Sequence, residues 1–310
     1  MSLALISHPA GLNHQPPEGH PERPDRLRAL ESLLSRPEFA GRDRRQAERA
    51  DDALLRLAHT PAYVAAIRDR APAAGTVQLD PDTWMSPGTL EAALRAAGGA
   101  AQAVDLVMAG PTRIAFSAQR PPGHHAEPDR AMGFCLFANA AIAARHALAA
   151  HGLTRVAVAD FDVHHGNGTQ AVVWDDPRVA FASSHQMPLW PGSGAAGERG
   201  AGNVFNAPLP PGAGGAEFRR AWEDVLLPAL DAHRPELIVI SAGFDAHAAD
   251  PLAQLELQAE DFAWITGALC DLAAAHAGGR VVSVLEGGYS LSGLTASVEA
   301  HLQVLMERAA

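Results

Sequence analysis

The chain has 310 residues, of which 47% are hydrophobic and 19% are charged, as is usual for globular proteins. A net charge of −11 argues against nucleic-acid binding, which needs a basic surface. We see neither an apolar stretch suited to a membrane span nor the basic region of a signal peptide. Two cysteines cannot form a disulfide framework, so we expect a cytoplasmic protein without nucleic-acid or membrane partners, its oligomeric state left open.

Short apolar runs alternate with helical stretches along the chain. Six runs predict buried strands, at 3–7, 113–117, 156–161, 179–184, 237–242 and 281–285. Helices are predicted at 23–34, 87–108, 136–150, 216–232, 259–277 and 291–306. This alternation predicts a single α/β domain over 1–310, with a mostly parallel sheet between two helical layers. The segment 188–215, rich in Gly and Pro, is expected to be a long functional loop.

Two adjacent histidines, His124 and His125, follow a diproline after the second predicted strand. Histidine titrates near neutrality, so a positioned pair can supply a base together with an acid or a fixed positive charge. Asp160 and Asn167 are candidate acceptors that would fix the tautomers of these rings. On its own, such a pair is also compatible with an exposed loop.

The stretch from 160 to 168, Asp-Phe-Asp-Val-His-His-Gly-Asn-Gly, carries the strongest signal in the chain. In an extended segment the side chains of Asp160, Asp162 and His164 point the same way. Asp245, after another predicted strand, would add a carboxylate, so that Asp162, His164 and Asp245 form a three-ligand metal site with open positions. Taken singly, these residues also fit a solvated strand end and a helix cap.

Aromatic side chains accompany the polar ones. Tyr289 follows a glycine pair and is a candidate donor to a developing oxyanion. Phe134, after Gly133, and Trp190 lie on loops and would form the walls of a narrow slot for an aliphatic stem. Each of the three also fits an ordinary packing role.

The polar segments of the chain all follow predicted strands. In an open parallel sheet the carboxyl ends of the strands share one edge, where ligands bind. We therefore expect one site there, built from the segments after five strands, namely 120–125, 162–164, 183–185, 245–247 and 286–289.

The motifs, in this order, resemble those of the zinc-dependent deacetylases, a family that includes class II-type histone deacetylases, bacterial histone-deacetylase-like amidohydrolases and acetylpolyamine amidohydrolases. The resemblance runs from Gly-His-Pro-Glu-Arg-Pro at 19–24 to Glu-Gly-Gly-Tyr at 286–289. It implies the arginase/deacetylase fold, with an eight-stranded, mostly parallel sheet in a single domain. It also implies one catalytic zinc ion and a structural potassium ion.

The resemblance implies a role for each site residue. Asp162, His164 and Asp245 match the zinc ligands, His125 the general base and acid, and His124 an electrostatic partner. Asp160 and Asn167 match the residues that orient His124 and His125, and Tyr289 matches the oxyanion donor. Gly133 matches the acceptor of the substrate amide and Phe134 a wall of the acyl-lysine tunnel, while Asp160, Asp162, His164, Ser183 and Ser184 match the potassium site.

Three alternatives bear on the reaction. Arginase-like enzymes share the fold but use two manganese ions, and the segment after Asp245 lacks the second carboxylate that this requires. Acetylpolyamine hydrolysis would favour a carboxylate at the rim, whereas Leu252 at the gatekeeper position is apolar and favours acyl-lysine, although Glu18 and Glu22 are candidate rim charges. A protein that binds acyl-lysine without cleaving it would not need His124, His125 or Tyr289.

Overall fold

The structure is a computed structural model that describes residues 2–310. Its strands are β1 (Ser2–Ser7), β2 (Asp43–Gln46), β3 (Val77–Asp80), β4 (Thr83–Met85), β5 (Thr112–Ser117), β6 (Val156–Asp160), β7 (Val179–Gln186), β8 (Val204–Leu209), β9 (Leu237–Ala242) and β10 (Val281–Leu285). Its helices are α1 (Pro24–Leu34), α2 (Pro37–Ala40), α3 (Asp52–Leu55), α4 (Pro61–Asp69), α5 (Thr89–Ala109), α6 (Asn139–His151), α7 (Asn167–Val173), α8 (Gly215–Ala221), α9 (Leu227–His233), α10 (Ala259–His276) and α11 (Leu291–Arg308). A 3₁₀ turn (Pro9–Asn13) and a π-helical turn (Trp222–Leu226) complete these elements.

Eight of the strands in the described part of the chain form one sheet, in the order β2-β1-β5-β10-β9-β6-β7-β8. Every neighbouring pair in this sheet is parallel, including both edge pairs. β3 and β4 form a separate antiparallel hairpin. The prediction of an eight-stranded, mostly parallel sheet in a single domain is confirmed.

The two faces of the sheet carry separate hydrophobic clusters. In β6, Val156 and Val158 point to the cluster that includes side chains of α4, α5 and α6, while Ala157 and Ala159 point to the cluster that includes α1, α10 and α11. Side chains alternate along a strand, so a strand covered on both faces must be apolar at every position. This is why the six predicted strands could be recognised as continuous apolar runs.

Some elements differ from those expected. β2, with the sequence Asp-Arg-Arg-Gln and mostly exposed, lacks the apolar run of a buried strand because it lies at the sheet edge. β8 lies inside 188–215, which was expected to be a loop throughout. The helix expected at 136–150 begins at Asn139, and the one expected at 216–232 is interrupted by the π-helical turn.

Two expectations from composition can be compared with the structure. Cys135 and Cys270 are buried and form no disulfide. Among residues 2–310, no helix combines the length and the apolar character that crossing a membrane would require.

Candidate active site

The polar segments converge at one edge of the sheet because the strands that precede them are neighbours. β5, β10, β9, β6 and β7 lie side by side and run parallel. His124 and His125 follow β5, Asp162 and His164 follow β6, and Asp245 follows β9. These five residues, called the site floor below, are 1% to 9% exposed.

The ligand atoms of Asp162, His164 and Asp245 all lie within 4.8 Å of one another, and all three residues are buried. Nδ1 of His164 lies 3.2 Å from Oδ1 of Asp162 and 3.2 Å from Oδ2 of Asp245. Ligands about 2.0 to 2.1 Å from a tetrahedral zinc ion are about 3.3 Å apart, so this donor set fits such an ion.

Asp160 does not join this cluster, although it was expected to point the same way as Asp162 and His164. β6 ends at Asp160, and the next residues bend instead of continuing the strand, so the alternation of an extended segment does not apply to them. The Asp160 carboxylate instead receives the backbone N–H of Asp162 and contacts His124.

Backbone groups hold both carboxylates of the cluster in place. The N–H of Gly287 donates to Oδ2 of Asp162, and the N–H of Val163 donates to Oδ1 of Asp245, each at 2.9 Å. A Cβ atom on Gly243 would lie 2.0 Å from Asp162, and one on Gly287 would lie 2.2 Å from Asp245. Only glycine therefore allows these two loops to approach the carboxylates so closely.

The charges of the cluster favour a bound cation. Burial, and then repulsion from Asp162, raises the pKa of Asp245 to about 7. Burial alone would lower the pKa of His164, but its hydrogen bonds to Asp162 and Asp245 raise it to about 10. Two buried carboxylates that repel each other are stabilised by a positive charge between them, and a metal ion supplies such a charge.

The tandem histidines lie in contact, with ring centroids 3.9 Å apart, yet their environments differ. Nδ1 of His124 lies 3.0 Å from Asp160. Burial alone lowers the pKa of His124, but the carboxylates of Asp162 and Asp160 raise it well above its ordinary value. Burial, and then the nearby His124 and His164, lower the pKa of His125 well below its ordinary value. A charged His124 beside a neutral His125 is the arrangement expected of an electrostatic partner and a base.

The tautomer of His125 follows from a chain of hydrogen bonds. Nδ2 of Asn167 donates to Glu127 at 2.8 Å, which turns Oδ1 of Asn167 toward Nδ1 of His125, also at 2.8 Å. His125 must then carry its proton on Nδ1, which leaves Nε2 with a free lone pair. Asn167 was expected as an orienting group, but Glu127, 40 residues away in sequence, was not.

Tyr289 lies on the loop after β10, held by residues that sequence reasoning missed. Its backbone N–H donates to Asp250 at 2.6 Å, and the guanidinium of Arg26 lies 4.9 Å from the centre of its ring. Arg26 also donates to the carbonyl of Gly288 in the same loop. Burial raises the pKa of Tyr289 well above its ordinary value, so the phenol stays protonated and can donate a hydrogen bond.

Glu286 is a further residue that sequence reasoning missed. Its carboxylate is fully buried and accepts the backbone N–H groups of Gly123 and His124, at 2.6 and 3.0 Å, and the hydroxyl of Ser241 at 3.1 Å. It therefore ties the end of β10 to the loop that carries both histidines. Burial raises the pKa of Glu286 to about 7.

The aromatic residues lie beside the floor. The ring of Trp190 lies edge-on to His125 at 4.7 Å, and the ring of Phe134 lies 5.6 Å from Tyr289. Gly133 has φ +57°, and a Cβ atom there would lie 2.3 Å from the ring of His125. Below, the rim denotes Phe134, Trp190 and Leu252. The backbone N–H of Leu252 donates to Asp250, which also holds Tyr289, so these two loops are connected.

The structure also places the two serines expected near a potassium ion and one of the glutamates expected at the rim. Ser183 in β7 pairs with Asp160 in β6, while Oγ of Ser184 accepts the indole N–H of Trp222. Glu22, expected as a rim charge, is instead fully buried and paired with Arg26 and Arg120. The expectation of a charge at the rim from Glu22 is therefore wrong, since two guanidinium groups compensate its burial.

Comparison with known proteins identifies the class to which this fold and site belong. Residues 20–305 match the model of the histone deacetylase domain. The chain is 45% identical over 293 residues to the histone deacetylase-like amidohydrolase of Pseudomonas aeruginosa, covering 92% of this chain and 77% of that protein. It is 38% identical over 327 residues to the polyamine deacetylase HDAC10 of Homo sapiens, covering 99% of this chain and 48% of that protein.

A solved structure agrees with this assignment. The HD domain of HDA15 superimposes with a TM-score of 0.94 at 35% identity, covering 99% of this chain and 89% of that chain. The chain belongs to the histone deacetylase family and has the arginase/deacetylase fold. The predicted family is confirmed.

Proposed function

We propose that the protein is a zinc-dependent hydrolase that removes acetyl or another short acyl group from lysine side chains in proteins or peptides. The observation that supports this most directly is the cluster of Asp162, His164 and Asp245, whose ligand atoms lie within 4.8 Å of one another. These residues would hold one zinc ion. His125, with a free Nε2, lies beside them, its ring centroid 5.8 Å from that of His164.

The proposed mechanism is metal-assisted amide hydrolysis. Zinc, when bound, supplies a Lewis acid that polarises an acyl carbonyl and lowers the pKa of water. Nε2 of His125 takes a proton from the attacking water, while His124 supplies positive charge. The hydroxyl of Tyr289 donates to the oxyanion, and the proton on His125 then passes to the leaving amine. The products are a short carboxylic acid and a free primary amine.

Replacing Tyr289 by Phe tests this mechanism. Loss of one oxyanion donor is expected to lower kcat by about 100- to 1000-fold, while the metal content measured by mass spectrometry stays unchanged. The other tyrosine, Tyr63, donates to the carbonyl of Leu136, so Tyr63→Phe is the matched control and should keep its turnover. Near-normal deacetylation by Tyr289→Phe would show that the oxyanion assignment is wrong.

A second candidate substrate is an acetylated polyamine, favoured by the similarity to a protein named as a polyamine deacetylase. Leu252 supports acyl-lysine instead, since an apolar side chain offers nothing to a second ammonium group. Turnover of N-acetylputrescine against an acetyl-lysine peptide separates the two. Leu252→Glu should raise the relative turnover of the polyamine, whereas a wild-type enzyme that prefers N-acetylputrescine would exclude the lysine proposal.

A catalytically silent acyl-lysine-binding protein is the alternative from another class. His124, His125 and Tyr289, each held by specific partners, count against it, because binding alone needs none of them. Release of acetate that a hydroxamate inhibits would exclude it.

Three further proposals concern the domain, the location and a second ion, and the last of them rests on the resemblance. Residues 1–310 would act as one catalytic domain, in the cytoplasm. A structural potassium ion would lie near Asp160, Ser183 and Ser184, which adjoin one another in β6 and β7. Dependence of the melting temperature on potassium, compared with sodium at the same ionic strength, tests the last of these.

A further inference from the structure

A second group of metal-ligating side chains lies outside the candidate active site. Nε2 of His146 and Nε2 of His151, both on α6, each lie 2.7 Å from the same Oδ1 atom of Asp105 on α5. The rings are partly exposed, with 18% and 22% of the side chains accessible. Two imidazole nitrogens and one carboxylate oxygen thus converge at the junction of two packed helices.

This cluster lies at the opposite edge of the sheet from the candidate active site. His151 is the last residue of α6, and the chain then enters β6 at Val156 and reaches the active-site edge only at Asp160. Asp105 likewise lies near the end of α5, before β5 begins at Thr112. The cluster therefore shares no residue with the floor and does not depend on the proposed reaction.

The donor set fits a borderline transition-metal ion. Imidazole is a preferred ligand for Zn²⁺, Ni²⁺ and Cu²⁺, and a carboxylate completes many such sites. Ligands about 2.1 Å from such an ion are about 3.0 to 3.3 Å apart, so each nitrogen would move by only a few tenths of an ångström from its present contact with Asp105.

The surroundings leave room for the ion and its water ligands. A cavity of about 410 Å³ opens beside Asp105 and His146. Glu48 and Asp51 are among the residues lining it, while Arg49, also in its lining, is paired with Glu91. The acidic side chains favour entry of a cation.

We propose that Asp105, His146 and His151 bind a second divalent transition-metal ion of the zinc class, which fastens α5 to α6. Water completes the coordination, because the three protein ligands leave positions open toward solvent. We assign this ion a structural role because its ligands come from two neighbouring helices, Asp105 from α5 and both histidines from α6.

Metal stoichiometry of the full chain tests this proposal. The protein, first loaded at its catalytic site, is dialysed against Zn²⁺ and, in a parallel experiment, against Ni²⁺, and bound metal is measured by mass spectrometry. Wild type should bind two ions per chain, and His146→Ala and His151→Ala should each bind one. The second ion should also raise the melting temperature of wild type but not of these variants. Alanine suits a helix, so both variants are expected to fold.

The matched control is His276→Ala. Nε2 of His276 lies 2.8 Å from Asp231, so this surface pair resembles the cluster but has a single imidazole. It should retain two ions per chain. The proposal would be overturned if wild type bound one ion per chain, or if His276→Ala lost as much metal as His151→Ala. Asp105, His146 and His151 would then form only a hydrogen-bonded contact between α5 and α6. Deacetylation measured on the same samples reports on the active-site cluster separately, so failure here is distinct from failure of the proposed reaction.

Discussion

Residues of the site floor are 9% exposed or less, whereas Trp190 on the rim keeps 41% of its surface in solvent. The floor comes from the segments that follow β5, β6 and β9, and backbone N–H groups hold its carboxylates. Trp190 comes from a long loop between β7 and β8. The charged residues of the floor are thus positioned by the strands of the sheet, whereas Trp190 is positioned by a loop. We therefore expect substitutions in the floor to affect the reaction and substitutions in the rim to affect substrate binding.

The largest effect is expected from Asp245→Asn in the floor. Asparagine keeps an oxygen for the N–H of Val163 but removes one negative metal ligand. Metal affinity should fall by more than about 100-fold, since even the outer partners of metal ligands account for about 10- to 100-fold, and deacetylation should fall with it. Because Asp162 and Asp245 repel each other, the metal-free variant should be at least as stable as the metal-free wild type, as thermal unfolding would measure. Full metal occupancy in this variant would exclude Asp245 as a ligand.

Glu286 accepts hydrogen bonds from the loop that carries the two histidines of the floor, and its replacement is expected to have the next largest effect. In Glu286→Ala the buried N–H groups of Gly123 and His124 lose their acceptor, at a cost of about 1 to 3 kcal/mol each. Displacement of the histidines should lower kcat by about 100-fold. Glu286→Gln keeps an acceptor oxygen and should retain most of the stability and kcat. If the two variants were equally impaired, the charge of Glu286 would matter more than its hydrogen bonds.

The pH dependence of the floor is expected to follow His125. This base acts when neutral, so kcat/KM should fall as the pH drops through its pKa, which burial and nearby histidines hold low. Asn167→Asp, made together with Glu127→Gln so that the new carboxylate faces an amide N–H, adds a negative charge next to His125. This charge should raise the pKa of His125 and move the acidic limb of the pH profile of kcat/KM to higher pH by about 1 unit. Glu127→Gln alone is the control, and an unchanged limb in the double variant would assign the base to another residue.

The floor could be predicted from the sequence because its residues lie in the segments that follow apolar runs, and the order of the strands then brings them together. Their supports could not be predicted in this way. Glu286 and Glu127 act on residues 163 and 40 positions away, and no local pattern marks such a contact. Charge alone was also misleading for Glu22, which lies buried between two arginines instead of at the rim.

The rim was predicted as a pair of aromatic walls, but not how it is held. The hairpin of β3 and β4 supplies Asp82 and Thr83, which accept the backbone N–H groups of Gly133 and Phe134. This hairpin is short and only partly buried, so it lacks the apolar run that marked the strands of the main sheet. Its contacts with Gly133 and Phe134 each join residues 51 positions apart, and no local pattern marks such a contact.

The smallest effect is expected from Trp190→Ala on the rim. The ring lies edge-on to His125 and forms part of the mouth of the site. Its loss should therefore weaken binding of the aliphatic chain of the substrate. We expect KM to rise by about 2- to 10-fold, the value of one aromatic contact, with kcat close to wild type. Trp174→Ala, which removes an equally large side chain, 37% exposed, at the end of α7, is the matched control and should leave both constants unchanged. A fall in kcat at constant KM would instead place Trp190 with the floor, since it would show that this ring orients His125 more than it binds substrate.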